Sequence, residues 1–234
     1  MFTTKHFLWL FLCAVCIGVG LFFSVRKKLS VRGTAKVMFL ISLLSEGSKM
    51  YTNIAMTDGG GYILLPNALP LHLCSLLLFV VPVIAFSSNE ALRAKAASFA
   101  APVGLLGGIA ASLIPTNGVD FCTPEAYQCF VYHAGLIWFA LSLILTKQVD
   151  LGFAAYKRNI VIMCLLLLGS VYVNSILSVY DTNFLYSSRP PMDGLPVLNL
   201  NHGWFCYIGV LTAIGITLIT AVHLPFITVR NKKV

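Results

Sequence analysis

Seven runs of about 20 mainly apolar residues divide this chain, and each run is long enough to cross a bilayer as a helix. They lie at roughly 6–24, 34–53, 66–86, 92–114, 126–146, 159–180 and 203–227 of the 234 residues. Only 10% of the residues are charged, against about a quarter in a soluble domain. That leaves too little polar surface to cover a water-facing core. The expected fold is therefore an all-α, polytopic membrane bundle of seven helices, forming one transmembrane domain over 1–234. No segment remains for a soluble domain, and the longest connection is about 181–202. No internal repeat is visible, which argues against a transporter built from two related halves. Lys5 before the first run and Arg26-Lys27-Lys28 after it reverse the charge order of a signal peptide, so that run reads as a retained helix.

The basic residues orient the bundle, because cytoplasmic connections are rich in Lys and Arg. Arg26, Lys27, Lys28, Arg32 and Lys36 follow the first span or open the second, Arg93 and Lys95 follow the third, and Lys147, Lys157 and Arg158 follow the fifth. Arg230, Lys232 and Lys233 close the chain. With seven spans all of these fall on one face, while Asp58, Asp120, Glu125, Asp181 and Asp193 fall on the other. The N-terminus is then expected outside and the C-terminus in the cytoplasm. The net charge of +8 is explained by a rim facing anionic lipid, at about 1 kcal/mol per residue, and calls for no nucleic acid.

This orientation sets the depth of the polar residues. His72 and Cys74, Glu46 and Lys49, His133, Asn174, and the pair His202 and Trp204 all fall in the outer half or beside it. In the inner half the comparable residue is His223. Ionisable groups in a bilayer are costly, so several at one depth suggest a shared polar cavity. Each has a plainer reading as well. Glu46 and Lys49, three apart, share a helix face and can form a structural ion pair. Cys74 can be a small buried hydrophobe, and His133 a satisfied buried histidine. His72 and Cys74 lie about 200° apart on an ideal helix, so they converge only if the helix start is irregular, as Pro66 and Pro70 would allow. Cys13 and Cys16 form a C-x-x-C inside an apolar run and read as packing. Cys206 could line the cavity, and Cys122 and Cys129 could pair in an oxidising compartment. Gly104, Gly108 and Ser112 form a small-residue face for close helix packing. Three histidines at one depth could hold a metal, yet the H-E-x-x-H pattern is absent, and neither metal nor cofactor is expected.

Leu69-Pro70-Leu71-His72-Leu73-Cys74 resembles the P-x-H-x-C segment of the YwaF-like integral membrane proteins of bacteria, whose eukaryotic relatives are multispan acyltransferases of ether phospholipids. Asn183-Phe184-Leu185-Tyr186 followed by Arg189-Pro190 is similar to that family's N-Y-x-Y and K-P pattern. The family's aromatic-proline-aromatic stretch is replaced here by Asn201–Tyr207. The resemblance implies cysteine–histidine acyl transfer. Cys74 would be the nucleophile, His133 its base, and His72 an alternative base or oxyanion donor. Glu46, Lys49, Asn174, Asn183, Tyr186, His202 and Trp204 would line the substrate side, with Asn174 and Asn183 as oxyanion donors. The partner would be membrane phospholipid, and the location the outer half of a bacterial plasma membrane. The competing expectation is a transporter or lipid-binding protein with a polar solute site at Glu46, Lys49 and His133.

Overall fold

The computed structural model describes residues 2–56, 60–115, 118–192 and 194–231. Asp58, Asp193, Lys232 and Lys233, which the charge pattern counts, lie outside them. Among the described residues are seven α-helices: α1 (Thr4–Arg26), α2 (Val31–Thr52), α3 (Leu73–Phe86), α4 (Glu90–Leu113), α5 (Pro124–Leu145), α6 (Phe153–Ile176) and α7 (Trp204–Asn231). Five of them, α1, α4, α5, α6 and α7, are long and apolar enough to cross a membrane. The chain is a membrane protein.

The other two helices depart from the sequence expectation. α2 has 22 residues, but Arg32, Lys36, Glu46 and Lys49 make it more polar than the five. α3 has 14 residues, about 21 Å at 1.5 Å per residue, short of a hydrocarbon core of about 30 Å. The run at 66–86 is thus helical only from Leu73. Proline supplies the reason: it lacks an N–H and keeps the residue before it extended. Pro66 opens a single 3-10 turn, Pro66–Ala68, and Pro70 keeps Leu69 before it extended. The helical class holds, and beside the helices the described residues contain a short antiparallel hairpin, β1 (Ile54–Met56) with β2 (Tyr62–Leu64).

The chain forms two compact units, residues 1–52 with 74–150, and residues 53–73 with 151–234. In the first, α5 is the central helix and packs on α1, α2 and α4. Its Phe130, Leu136, Phe139, Ala140 and Leu143 are fully buried. Lipid is as apolar as a leucine core, so close packing rather than the hydrophobic effect holds such helices together. The small-residue face of α4 provides that closeness. A Cβ on Gly108 would stand 2.8 Å from the His133 carbonyl and 2.7 Å from Ile137, so α4 meets α5 backbone to side chain. Trp9 of α1 stacks on Phe130 at 4.8 Å and on Phe121 at 4.5 Å. His6 donates from Nε2 to the Ser112 carbonyl at 2.9 Å and accepts at Nδ1 from the Phe2 N–H.

In the second unit α6 packs on α7. Buried His223 of α7 donates from Nδ1 to the Leu151 carbonyl at 2.8 Å and faces Asn159 of α6 at 3.2 Å through Nε2. The connection from α6 to α7 folds back onto the end of α6 in short 3-10 turns, with Asp181, Leu185 and Tyr186 in the left-handed region.

Candidate active site

Three helices converge on the start of α3. Glu46 and Lys49, one turn apart on α2, form an ion pair at 2.5 Å. Ser75 joins it, donating to Glu46 Oε1 at 2.6 Å and accepting from Lys49 Nζ at 3.1 Å. Glu46 is only 3% exposed, so its charge is balanced inside the protein by the ammonium and the hydroxyl. From α5, the Tyr132 hydroxyl donates to the Cys74 carbonyl at 2.6 Å. From α4, Gly107 presents bare backbone: a Cβ there would lie 2.7 Å from Cys74 Sγ. The Cys74 carbonyl is thereby fixed from α5, and its sulfur lies against a surface that only glycine leaves open.

Cys74 is the second residue of α3. The first-turn N–H groups of a helix have no carbonyl one turn back to bond, and that end of the helix dipole is positive. The N–H groups of Cys74 and Ser75 belong to this set. A developing negative charge near the sulfur would meet donors of this kind.

His133 lies one residue beyond Tyr132 on α5. Its Nδ1 is 2.6 Å from the Cys129 carbonyl. A carbonyl only accepts, so Nδ1 carries the proton and the neutral ring keeps its lone pair on Nε2. The Cys129 sulfur is 3.6 Å from the same Nδ1. No hydrogen bond joins His133 to Cys74 among the described residues.

The remaining predicted site residues belong to the second unit. His72 packs its ring against Phe184 at 5.4 Å and Tyr186 at 5.8 Å. The irregular start that the prolines permitted is present: His72 precedes the helix that Cys74 has entered. Asn174 is fully committed, donating to the Phe184 carbonyl at 3.0 Å and Ser187 Oγ at 2.8 Å and accepting from the Phe184 N–H at 2.9 Å. Asn183 is likewise turned onto its own loop, donating to the Arg189 carbonyl at 2.9 Å and accepting from the Ser188 and Arg189 N–H groups. Both amides thus hydrogen-bond to the α6–α7 connection. The Tyr186 carbonyl accepts from the Tyr207 hydroxyl, Trp204 donates to the Ser187 carbonyl at 2.9 Å, and His202 is exposed.

All seven cysteines are free thiols, so the Cys122–Cys129 pair that an oxidising compartment would allow is not formed here. Cys13 is buried against α5 while Cys16 is exposed. Cys206 is exposed at the start of α7. Ser75, Tyr132 and Gly107 carry no sequence signal of their own. Each matters through a partner 26 or more residues away.

A model of the TMEM164 family matches residues 1–222, a stretch that contains every residue just described except His223. No curated protein and no solved structure matches the chain.

Proposed function

The chain belongs to the TMEM164 family, and from that premise we propose that it is a membrane-embedded acyltransferase working on phospholipid acyl esters through Cys74 and His133. The observation that carries the reading is the placement of Cys74 in the first turn of α3, its sulfur against Gly107. There a thiol has backbone N–H donors beside it and close walls around it.

The chemistry follows from the residues. The Cys74 sulfur attacks the ester carbonyl carbon and its proton passes to His133 Nε2, the nitrogen that the Cys129 bond leaves unprotonated. The Cys74 and Ser75 N–H groups face the oxyanion. The carbon–oxygen bond breaks, the lysolipid alcohol leaves with the proton from His133, and a thioester remains on Cys74. An acceptor hydroxyl then repeats the attack in reverse order, with water as the acceptor in a hydrolase. The Glu46–Lys49–Ser75 ring anchors the helix start during both steps. His72, two residues before Cys74, is the second candidate base, and Tyr186, His202 and Trp204 are candidate lipid contacts. On this reading the site lies in the outer half of a bacterial plasma membrane and faces the extracytoplasmic side, an orientation that the basic connections support.

The decisive experiment is mass spectrometry of the purified protein after incubation with phospholipid, wild type beside Cys74→Ala. An acyl adduct on Cys74 that hydroxylamine removes and the variant lacks is the expected result. Equal lipid turnover in both proteins with no adduct would sink the reading. It would favour the other one, a polar solute site around the buried Glu46–Lys49 pair.

A further inference from the structure

The β1–β2 hairpin has one face made wholly of exposed apolar side chains. Directly paired residues of an antiparallel ladder, and residues two apart on one strand, point the same way. The pairs Ile54↔Leu64 and Met56↔Tyr62 therefore put four side chains on one face. Their exposures are 48, 38, 72 and 77% in that order. A lone two-stranded hairpin is marginally stable in water, and one with such a face would be a liability there.

We propose that this face lies on the lipid bilayer, at headgroup depth, as an interfacial paddle between α2 and α3. Three observations commit it to lipid rather than to a protein partner. The first is position. α2 has 22 residues, about 33 Å and so roughly one hydrocarbon thickness. Crossing as the second of seven spans, α2 would start at one membrane surface with its basic Arg32 and Lys36 and leave Thr52 at the other. One residue separates α2 from β1. The second is continuity. The exposed apolar side of α2, Val37, Leu40, Leu43 and Leu44, ends at Tyr51, itself 79% exposed, and the hairpin follows directly in the chain. Tyr51 and Tyr62 are the aromatic type that collects at membrane interfaces. The third is charge. Apart from His72, residues 53–72 contain a single acidic or basic residue, Asp58. The α6–α7 connection, by contrast, carries Asp181, Arg189 and Asp193 with several asparagines.

The ladder also fixes the depth. An open sheet edge leaves backbone N–H and C=O groups without strand partners, and such edges do not occur exposed in hydrocarbon. Headgroups and interfacial water can satisfy them. The paddle therefore rests on the bilayer surface with its four-residue face down and its edges wet. This inference stands whether or not Cys74 transfers acyl groups.

The test places a genetically encoded fluorescent amino acid at Met56 or at Tyr62, in separate full-length proteins in phosphatidylcholine nanodiscs. Asn201, exposed on the α6–α7 connection, is the control position. The expected result is blue-shifted emission at 56 and 62, quenched by brominated acyl chains several-fold more than at 201, and protected from aqueous iodide. Iodide quenching equal to that at 201, with no bromine effect, would overturn the proposal and leave the face for a protein partner. The two positions are read independently, so misfolding of one labelled protein leaves the other to decide.

Discussion

A methyl group on Gly107 would stand 2.7 Å from Cys74 Sγ, a separation that side chains do not tolerate, so Gly107→Ala must displace the sulfur or the helix. Overpacking of this kind costs about 1–3 kcal/mol. Gly107→Ala is expected to lower the unfolding temperature in detergent and to reduce the acyl-enzyme yield. Gly169→Ala, which meets open space, is the matched control and should do neither. Cys129 makes a sharper comparison. Its carbonyl, not its side chain, takes the His133 proton, so Cys129→Ala should keep lipid turnover while Cys74→Ala abolishes it. If Cys129→Ala were as inactive as Cys74→Ala, the assignment of the nucleophile would be wrong. The buried ion pair gives a stability prediction. Lys49→Met strands the Glu46 carboxylate, and breaking one side of such a pair costs about 3–5 kcal/mol. The double change Glu46→Leu with Lys49→Met should cost less than Lys49→Met alone. A thermal-denaturation double-mutant cycle reads this directly.

At the scale of elements, Asn174 holds the α6–α7 connection to α6 by three hydrogen bonds. The connection also includes adjacent left-handed Leu185 and Tyr186, a conformation that bulky residues adopt only when their surroundings impose it. Asn174→Leu removes every bond of that anchor and strands the buried Phe184 N–H, at about 1–3 kcal/mol, while the Phe184 carbonyl keeps its bonds from Ser187. The expected outcome is rapid protease cleavage within 181–203 under conditions where the wild type resists. Unchanged cleavage would show that the Tyr207 and Trp204 bonds suffice. The extent of most helices was legible in the sequence, since a run of apolar residues states its own length. The start of α3 was not. Hydropathy continues smoothly from 66 to 86, and only the backbone restrictions of Pro66 and Pro70 break the helix there. The hairpin was equally hidden, because its apolar residues carry the same signal as a frayed span end.

For the molecule as a whole, acid stability offers a test of how α1 is tied down. Asp120 is held below the usual carboxylate range by the Cys122 N–H and then by Lys5, which donates to it at 3.2 Å. A carboxylate depressed in the folded state adds stability above its unfolded value, and that contribution is lost as pH falls through the folded one. Asp120→Asn should therefore flatten the stability profile below about pH 4 and leave the neutral plateau nearly unchanged, because the site is exposed and screened. A pH series of thermal unfolding, wild type beside variant, measures it, and parallel profiles would refute the assignment. Residence in a membrane, the helical class and the shared face of Glu46 and Lys49 were determined by the sequence alone. They follow from composition and from periods of a few residues, which are local properties. Which polar residues meet was decided by tertiary structure. Ser75 closes the ring with α2, and Tyr132 and Gly107 enclose Cys74. Asn174 and Asn183 hydrogen-bond to the α6–α7 connection. These pairings depend on how helices dozens of residues apart come to pack, and no local pattern encodes that.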